Sequence, residues 1–92
     1  MRVRVLYFGV LKDVFGRSGE DVELADEASV ADLMAACRGR AVGVAGVWDS
    51  MAVAVNQEYA RGVDVLKDGD EVALLPPVSG GVESRFEGQD AG

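Results

Sequence analysis

Lys67-Asp68-Gly69-Asp70-Glu71-Val72-Ala73-Leu74-Leu75-Pro76-Pro77 opens on an Asp-Gly turn signal, runs through a nearly continuous apolar stretch and halts at two prolines. The apolar run predicts a strand over 71–75, buried on both faces or turned toward a partner. The prolines fix φ and hold the chain extended as it leaves that strand. Beyond them, Val78-Ser79-Gly80-Gly81 sheds side-chain bulk and gains backbone freedom. The whole reads as a strand feeding a stiff base with a thin tip, able to carry a backbone group roughly 13 Å outward at about 3.3–3.6 Å per residue.

Upstream, Arg2-Val3-Arg4-Val5-Leu6-Tyr7-Phe8 alternates with a period of two, placing Val3, Val5 and Tyr7 on one face of a strand. Val10, Leu11, Val14 and Phe15 fall at helical spacing and Gly16 closes that run, predicting a short helix. Glu20-Asp21-Val22-Glu23-Leu24 alternates again, with Val22 and Leu24 inward. Ser29 followed by Asp32 marks a helix start, and Val30, Leu33, Met34 and Cys37 form the stripe of an amphipathic helix lying on a sheet. Cys37 thus belongs to the core rather than to nucleophilic chemistry, having no basic neighbour to stabilise a thiolate. Gly39 to Trp48 reads as loop-like, and its glycines match neither a P-loop nor a dinucleotide fingerprint. Trp48 has no motif around it and is expected to pack over a core edge. Met51-Ala52-Val53-Ala54-Val55-Asn56 predicts a third strand, and Asn56-Gln57-Glu58 turns it toward a short fourth around Tyr59 and Ala60. The order describes an α+β roll, a mixed sheet of about five strands with one main helix packed across it. Residues 1–78 form that domain and 79–92 a flexible C-terminal tail.

The composition narrows the chemistry further. A chain of 92 residues supports one small domain, and its net charge of -7 disfavours nucleic acid and membrane surfaces as partners. With no histidine and one cysteine, the chain lacks the means for a usual zinc site, a Ser-His-Asp triad or an internal disulfide. Neither a secretory signal nor a membrane span is visible, so a soluble cytoplasmic protein is expected. No metal or cofactor site emerges. A domain of this kind is suited to being acted upon or to binding rather than to catalysing alone.

The run from Leu66 to Gly81 closely resembles the C-terminal signature of the small subunit of molybdopterin synthase, the MoaD family of ubiquitin-like sulfur carriers. The opening Val3-Arg4-Val5-Leu6-Tyr7-Phe8-Gly9 and the stretch Val53-Ala54-Val55-Asn56-Gln57 resemble that family as well. The resemblance spans residues 1 to 81 and implies a β-grasp fold and a non-catalytic subunit of an enzyme. It implies that Gly81 carries the reactive carboxylate, adenylated by a ubiquitin-activating-type enzyme with ATP and converted to a thiocarboxylate, while Gly80 is its permissive neighbour. The catalytic side chains then sit on partners, the large synthase subunit among them. The family resemblance further implies a heterotetramer with two copies of that larger subunit.

Residues 82–92 extend past the glycine pair at which the family ends. Gly81 is therefore held in a peptide bond, and an amide is not adenylated as a free acid is. Three readings stand: a precursor from which a protease removes 82–92, a carrier for another sulfur pathway (cysteine, thiamine or a secondary metabolite), or a non-catalytic β-grasp binding module. For partner contact, Leu75 beside the tail and Phe8 across the sheet are the candidates, with Pro76, Pro77, Val78 and Ser79 along the exit. Both Leu75 and Phe8 also fit ordinary core positions. Lys12, Arg2 and Arg4 are expected to be solvated rather than paired with a partner's acids.

Overall fold

The computed structural model describes residues 1–40 and 45–77. Five strands form one mixed sheet: β1 (Arg2–Tyr7), β2 (Gly19–Glu23), β3 (Ala52–Val55), β4 (Glu58–Ala60) and β5 (Glu71–Leu75). Among the described residues three helices accompany them: α1 (Val10–Phe15), α2 (Val30–Arg40) and α3 (Ala45–Trp48). The strand order is β2-β1-β5-β3-β4. β1 and β5 pair in parallel at the centre, and the other neighbours are antiparallel. This is the β-grasp arrangement, with α2 packed across one face of the sheet.

Alternation decides which side chains meet that helix. Val3, Val5 and Tyr7 of β1, Val72 and Leu74 of β5 and Val53 of β3 join Val30, Leu33 and Cys37 of α2 in one core. The β5 run is therefore buried on one face only. Val72 and Leu74 are fully buried, whereas Glu71, Ala73 and Leu75 on the alternate face are half-buried. On α1 only Leu11 is buried, while Val10 and Val14 of the same apolar spacing are exposed.

The helix start is a reciprocal cap. The Asp32 amide donates to Ser29 Oγ at 3.2 Å and the Ser29 amide donates to Asp32 Oδ2 at 2.9 Å, satisfying two amides at the head of α2. The loop after β4 is sewn to the same end, with the Ala31 amide donating to Gly62 O and the Val30 amide to Asp64 O, both at 2.9 Å.

The two stretches Val53–Gln57 and Asp68–Glu71 meet at the end of the sheet away from the tail. Asn56 and Gln57 take positive φ values of 52° and 72°, as a tight two-residue hairpin demands. Asn56 Nδ2 donates to Asp70 Oδ1 and Asn56 Oδ1 accepts from the Glu71 amide, each at 3.0 Å. Gly69 holds φ at 86° in the Asp-Gly turn, and its amide donates to Arg2 O at 2.8 Å. These motifs clamp the sheet.

The expectation of a loop from Gly39 to Trp48 is corrected where residues are described: α2 continues through Gly39 and Arg40, and 45–48 is the helix α3. Glycine disfavours a helix interior by about 1 kcal/mol, but tertiary contacts outweigh it here. Arg40 reaches Glu20 at 3.0 Å and stacks over the Phe15 ring at 5.0 Å, fastening the last turn. Trp48, only 5% exposed, anchors α3 as a member of the core. Among the described residues no helix is long and apolar enough to cross a membrane.

Candidate functional site

Among the described residues no helix covers the face of the sheet opposite α2, and strand register sorts its side chains into two ends. At the end where β1 begins, Arg4 lies between Asp21 of β2 and Glu71 of β5. Arg2 pairs with Glu23 at 2.7 Å and Arg4 with Asp21 at 3.4 Å. Arg2 and Arg4 thus spend their charge within the chain. Lys12 lies on the exposed side of α1.

At the other end the row changes character. Leu6 faces Ala73, Ala73 faces Ala54, and Ala54 faces Tyr59, a line of apolar residues crossing four strands. At about 4.7–4.9 Å between strands, that row spans roughly 14 Å. Beside it, Leu75 pairs with Ala52, and Phe8 continues β1 toward the same edge. Phe8 is 42% exposed and Tyr59 82% exposed, while Leu6 and Leu75 are half-buried. Small alanines between larger side chains leave an apolar floor on the open face, of the character that protein–protein contacts use.

The exit of β5 is braced at this end. Gly9 adopts φ 56° and ψ -135°, a conformation open to glycine, and a Cβ built on it would lie 3.1 Å from Pro76 Cγ. The turn after β1 therefore nests against Pro76, which is half-buried, and Pro77 is exposed beyond it. The structure brings Leu75, Phe8, Pro76 and Pro77 to one edge. Val78, Ser79, Gly80 and Gly81, and the extension 82–92, lie outside the described residues.

Behind this edge, on the helix side, a polar knot backs the sheet. The Tyr7 hydroxyl donates to Glu20, which is also flanked by Arg40 at 3.0 Å and Arg17 at 3.6 Å. Tyr7 stacks on Phe15 with ring centroids 4.3 Å apart. The Tyr7 hydrogen bond, with help from Arg40, holds the Glu20 carboxyl below its ordinary range, and burial pushes the Tyr7 hydroxyl up. Cys37 is 1% exposed, and burial pushes its thiol up to about 11, so it stays protonated and unreactive near neutrality. Among the described residues no group of three acidic, cysteine or histidine side chains is placed to hold a metal ion. The described residues thus present an open apolar sheet end beside the exit of β5.

Tyr59 escaped the sequence reading. Its signal was the alternation Ala52-Val53-Ala54-Val55, which puts two alanines on the open face, followed by a tight hairpin that lays Tyr59 opposite Ala54.

The sequence profile of the ThiS family matches residues 5–81. The molybdopterin synthase sulfur carrier subunit of Chlamydomonas reinhardtii is 42% identical over 83 residues, covering 88% of this chain and all of that protein. Among solved structures, the small archaeal modifier protein 1 of Haloferax volcanii superposes with a TM-score of 0.76 at 30% identity, covering 88% of this chain and 100% of its own. A chain in the complex of subunits 1 and 2 of the molybdopterin-converting factor of Helicobacter pylori is similar at a TM-score of 0.62 and 29% identity, covering 88% and 100%.

Proposed function

The chain belongs to the ThiS family, and we propose that within it this protein is a sulfur carrier, the small subunit of a molybdopterin synthase, bearing sulfur as a thiocarboxylate on Gly81 once residues 82–92 are removed. The observation that carries this reading is the coincidence of two limits: the family match ends at Gly81, and the strand leading there leaves the sheet beside its apolar end. A partner seated on Phe8, Tyr59 and Leu75 would receive the tail at its own active site. The Helicobacter pylori complex of subunits 1 and 2 supports a large subunit as that partner.

The chemistry asks for no catalytic side chain from this chain. A carboxylate is a poor electrophile until one oxygen becomes a leaving group. A ubiquitin-activating-type enzyme attaches AMP to the Gly81 carboxylate with release of pyrophosphate, and a sulfur nucleophile then displaces AMP to leave the thiocarboxylate. In this scheme ATP is bound by the activating enzyme, and this chain supplies the carboxylate. Glycine at 80 and 81 lets that enzyme close around bare backbone. Because Gly81 is followed by Val82, a protease acts first.

Intact-mass measurement of the protein from its native cells tests the reading. The expected species ends at Gly81 and carries the mass change of one oxygen-to-sulfur exchange; a population ending only at Gly92 overturns it. Capture of a large synthase subunit on the processed chain then separates this pathway from other sulfur chemistry.

A further inference from the structure

β1 and β5 run in parallel with Tyr7 beside Leu74, and two steps further along the two chains Gly9 meets Pro76. The hydrogen-bonded strand ends at Leu75, and neither Pro76 nor Pro77 has an N–H to give to a neighbouring strand. The direction of the chain at this point is therefore set by how the Pro76 ring packs. The ring rests where a side chain on residue 9 would stand: a Cβ there would lie 3.1 Å from Pro76 Cγ and 4.0 Å from Cδ, and the ring would have to give way. The frame around Gly9 is fixed on both sides. The Tyr7 amide donates to Ser18 O at 2.9 Å, and the Leu11 and Lys12 amides donate to Phe8 O and Gly9 O, each at 3.1 Å. Gly9 itself holds φ 56° and ψ -135°, close to the mirror image of polyproline II and a conformation that L side chains rarely adopt.

We infer that Gly9 is a positioning residue for the tail: its bare Cα seats the Pro76 ring and so fixes the direction in which the chain leaves the apolar end of the sheet. Its neighbour Phe8, 42% exposed, belongs to the apolar surface offered to a partner. Grip and aim are thus assigned to adjacent residues, and a change at position 9 separates them. A partner still docks on Phe8 and Leu75, but meets the tail at a different angle. The inference rests on the sulfur-carrier reading for what the aim is worth, while the seat of Pro76 on Gly9 is a property of the chain alone. Reaction rates are sensitive to such an aim, because misplacing a reacting group by about 1 Å costs up to about 100-fold.

The two mirror forms of alanine test this at one position. Gly9→Ala with L-alanine sets a methyl against Pro76 and a backbone conformation that the residue resists. Gly9→Ala with D-alanine, introduced by chemical ligation, leaves the place of the ring empty and adopts the same backbone angles without strain. Residual dipolar couplings on the full chain report the orientation of the Pro77 Cα–Hα bond relative to the sheet. In the native and D-alanine chains that bond is expected to keep one orientation, and in the L-alanine chain to turn away from it, while the Val3 and Val5 resonances stay in place and report an intact fold. The second readout is adenylation of the same three chains ending at Gly81, followed as pyrophosphate release by the activating enzyme. The L-alanine form alone is expected to lose about tenfold in kcat, with KM held within about twofold. Equal Pro77 couplings in the three chains overturn the inference, as does an unchanged kcat in an L-alanine chain whose Pro77 has turned. A D-alanine chain that fails together with the L-alanine chain overturns it too, because the loss then comes from the substitution and not from the contact with Pro76. A native chain ending at Gly81 that releases no pyrophosphate instead defeats the sulfur-carrier reading, and the Pro77 couplings still decide whether Gly9 sets the exit.

Discussion

The two ends of the open sheet face are built from the same strands in the same register and do opposite things. Where β1 begins, Arg2 and Arg4 meet Glu23 and Asp21 across β2, so the charges are satisfied within the chain and stay wet. Where β1 ends, Leu6, Phe8, Ala73, Leu75 and Tyr59 have only alanines between them, and nothing in the chain's described residues covers them. The change happens within two residues, between Arg4 and Leu6. In the function proposed above, this difference between the two ends would orient the partner: the ion pairs favour water at the first end, and the apolar floor is the part offered to a partner, beside the exit of β5.

The sharpest way to break this contrast is to make the apolar end resemble the charged one. Phe8→Glu with Leu75→Glu is expected to weaken binding of the large synthase subunit by about 1,000-fold, because each replaces an anchor worth roughly 2 kcal/mol and leaves a charge to be desolvated. Titration calorimetry reads the affinity, and circular dichroism is expected to show the sheet retained, since both positions lie off the core. Undiminished affinity in a folded double variant would move the interface elsewhere. Tyr59→Ala is a milder version. It removes the far rim of the floor and is expected to cost about tenfold in affinity, with little loss of stability because the ring is 82% exposed.

How much of this contrast could be read beforehand depended on the range of the interactions that create it. Period-two alternation announced Val3, Val5 and Tyr7 as core, and Ser29 with Asp32 announced the head of α2, because both signals are local. Leu75 and Phe8 were legible as candidates from alternation at the strand ends. Tyr59 was not, since its place depends on a pairing with Ala54 that in turn depends on β3 lying next to β5. Likewise the helical state of Gly39–Arg40 and of α3 rests on Glu20, on Phe15 and on the buried Trp48, partners that no local window contains. Arg2 and Arg4 were expected to be solvated; both remain half exposed, and only the strand register revealed their acidic partners. The glycine pair, the most suggestive feature of the sequence, lies outside the described residues, and the role proposed for it is supported by a family match that runs to Gly81.

A third test asks whether the apolar end is backed rigidly. Glu20, on the helix side behind it, has its carboxyl held below the ordinary value of 4.5 by the Tyr7 hydroxyl and by Arg40. A folded-state value below the unfolded one means the unfolded chain takes up the proton more readily in acid. The stabilisation is therefore fully present above about pH 4.5 and is lost as pH falls through the folded value. Urea midpoints measured across that range are expected to decline more steeply for the native chain than for Glu20→Gln, which lacks the titrating group. Equal slopes would remove Glu20 from the support of this edge.

The smallest effect is expected at the end that is already complete, and its smallness is the point. Arg4→Ala deletes a pair at 3.4 Å whose two side chains are each about half exposed, at 52% and 55%. Exposed pairs of this kind contribute roughly 0–1 kcal/mol, because water and salt screen them and ordering two long side chains is costly. The unfolding free energy is expected to fall by an amount within that range, and by less at high salt. Affinity for the large subunit is expected to stay within about twofold, because the ion-paired end guides a partner away instead of gripping it. If Arg4→Ala instead weakened binding as Tyr59→Ala does, the charged end would be part of the grip. The partner would then cover the whole open face, and the division at Leu6 would mark a change of chemistry within one interface rather than its border.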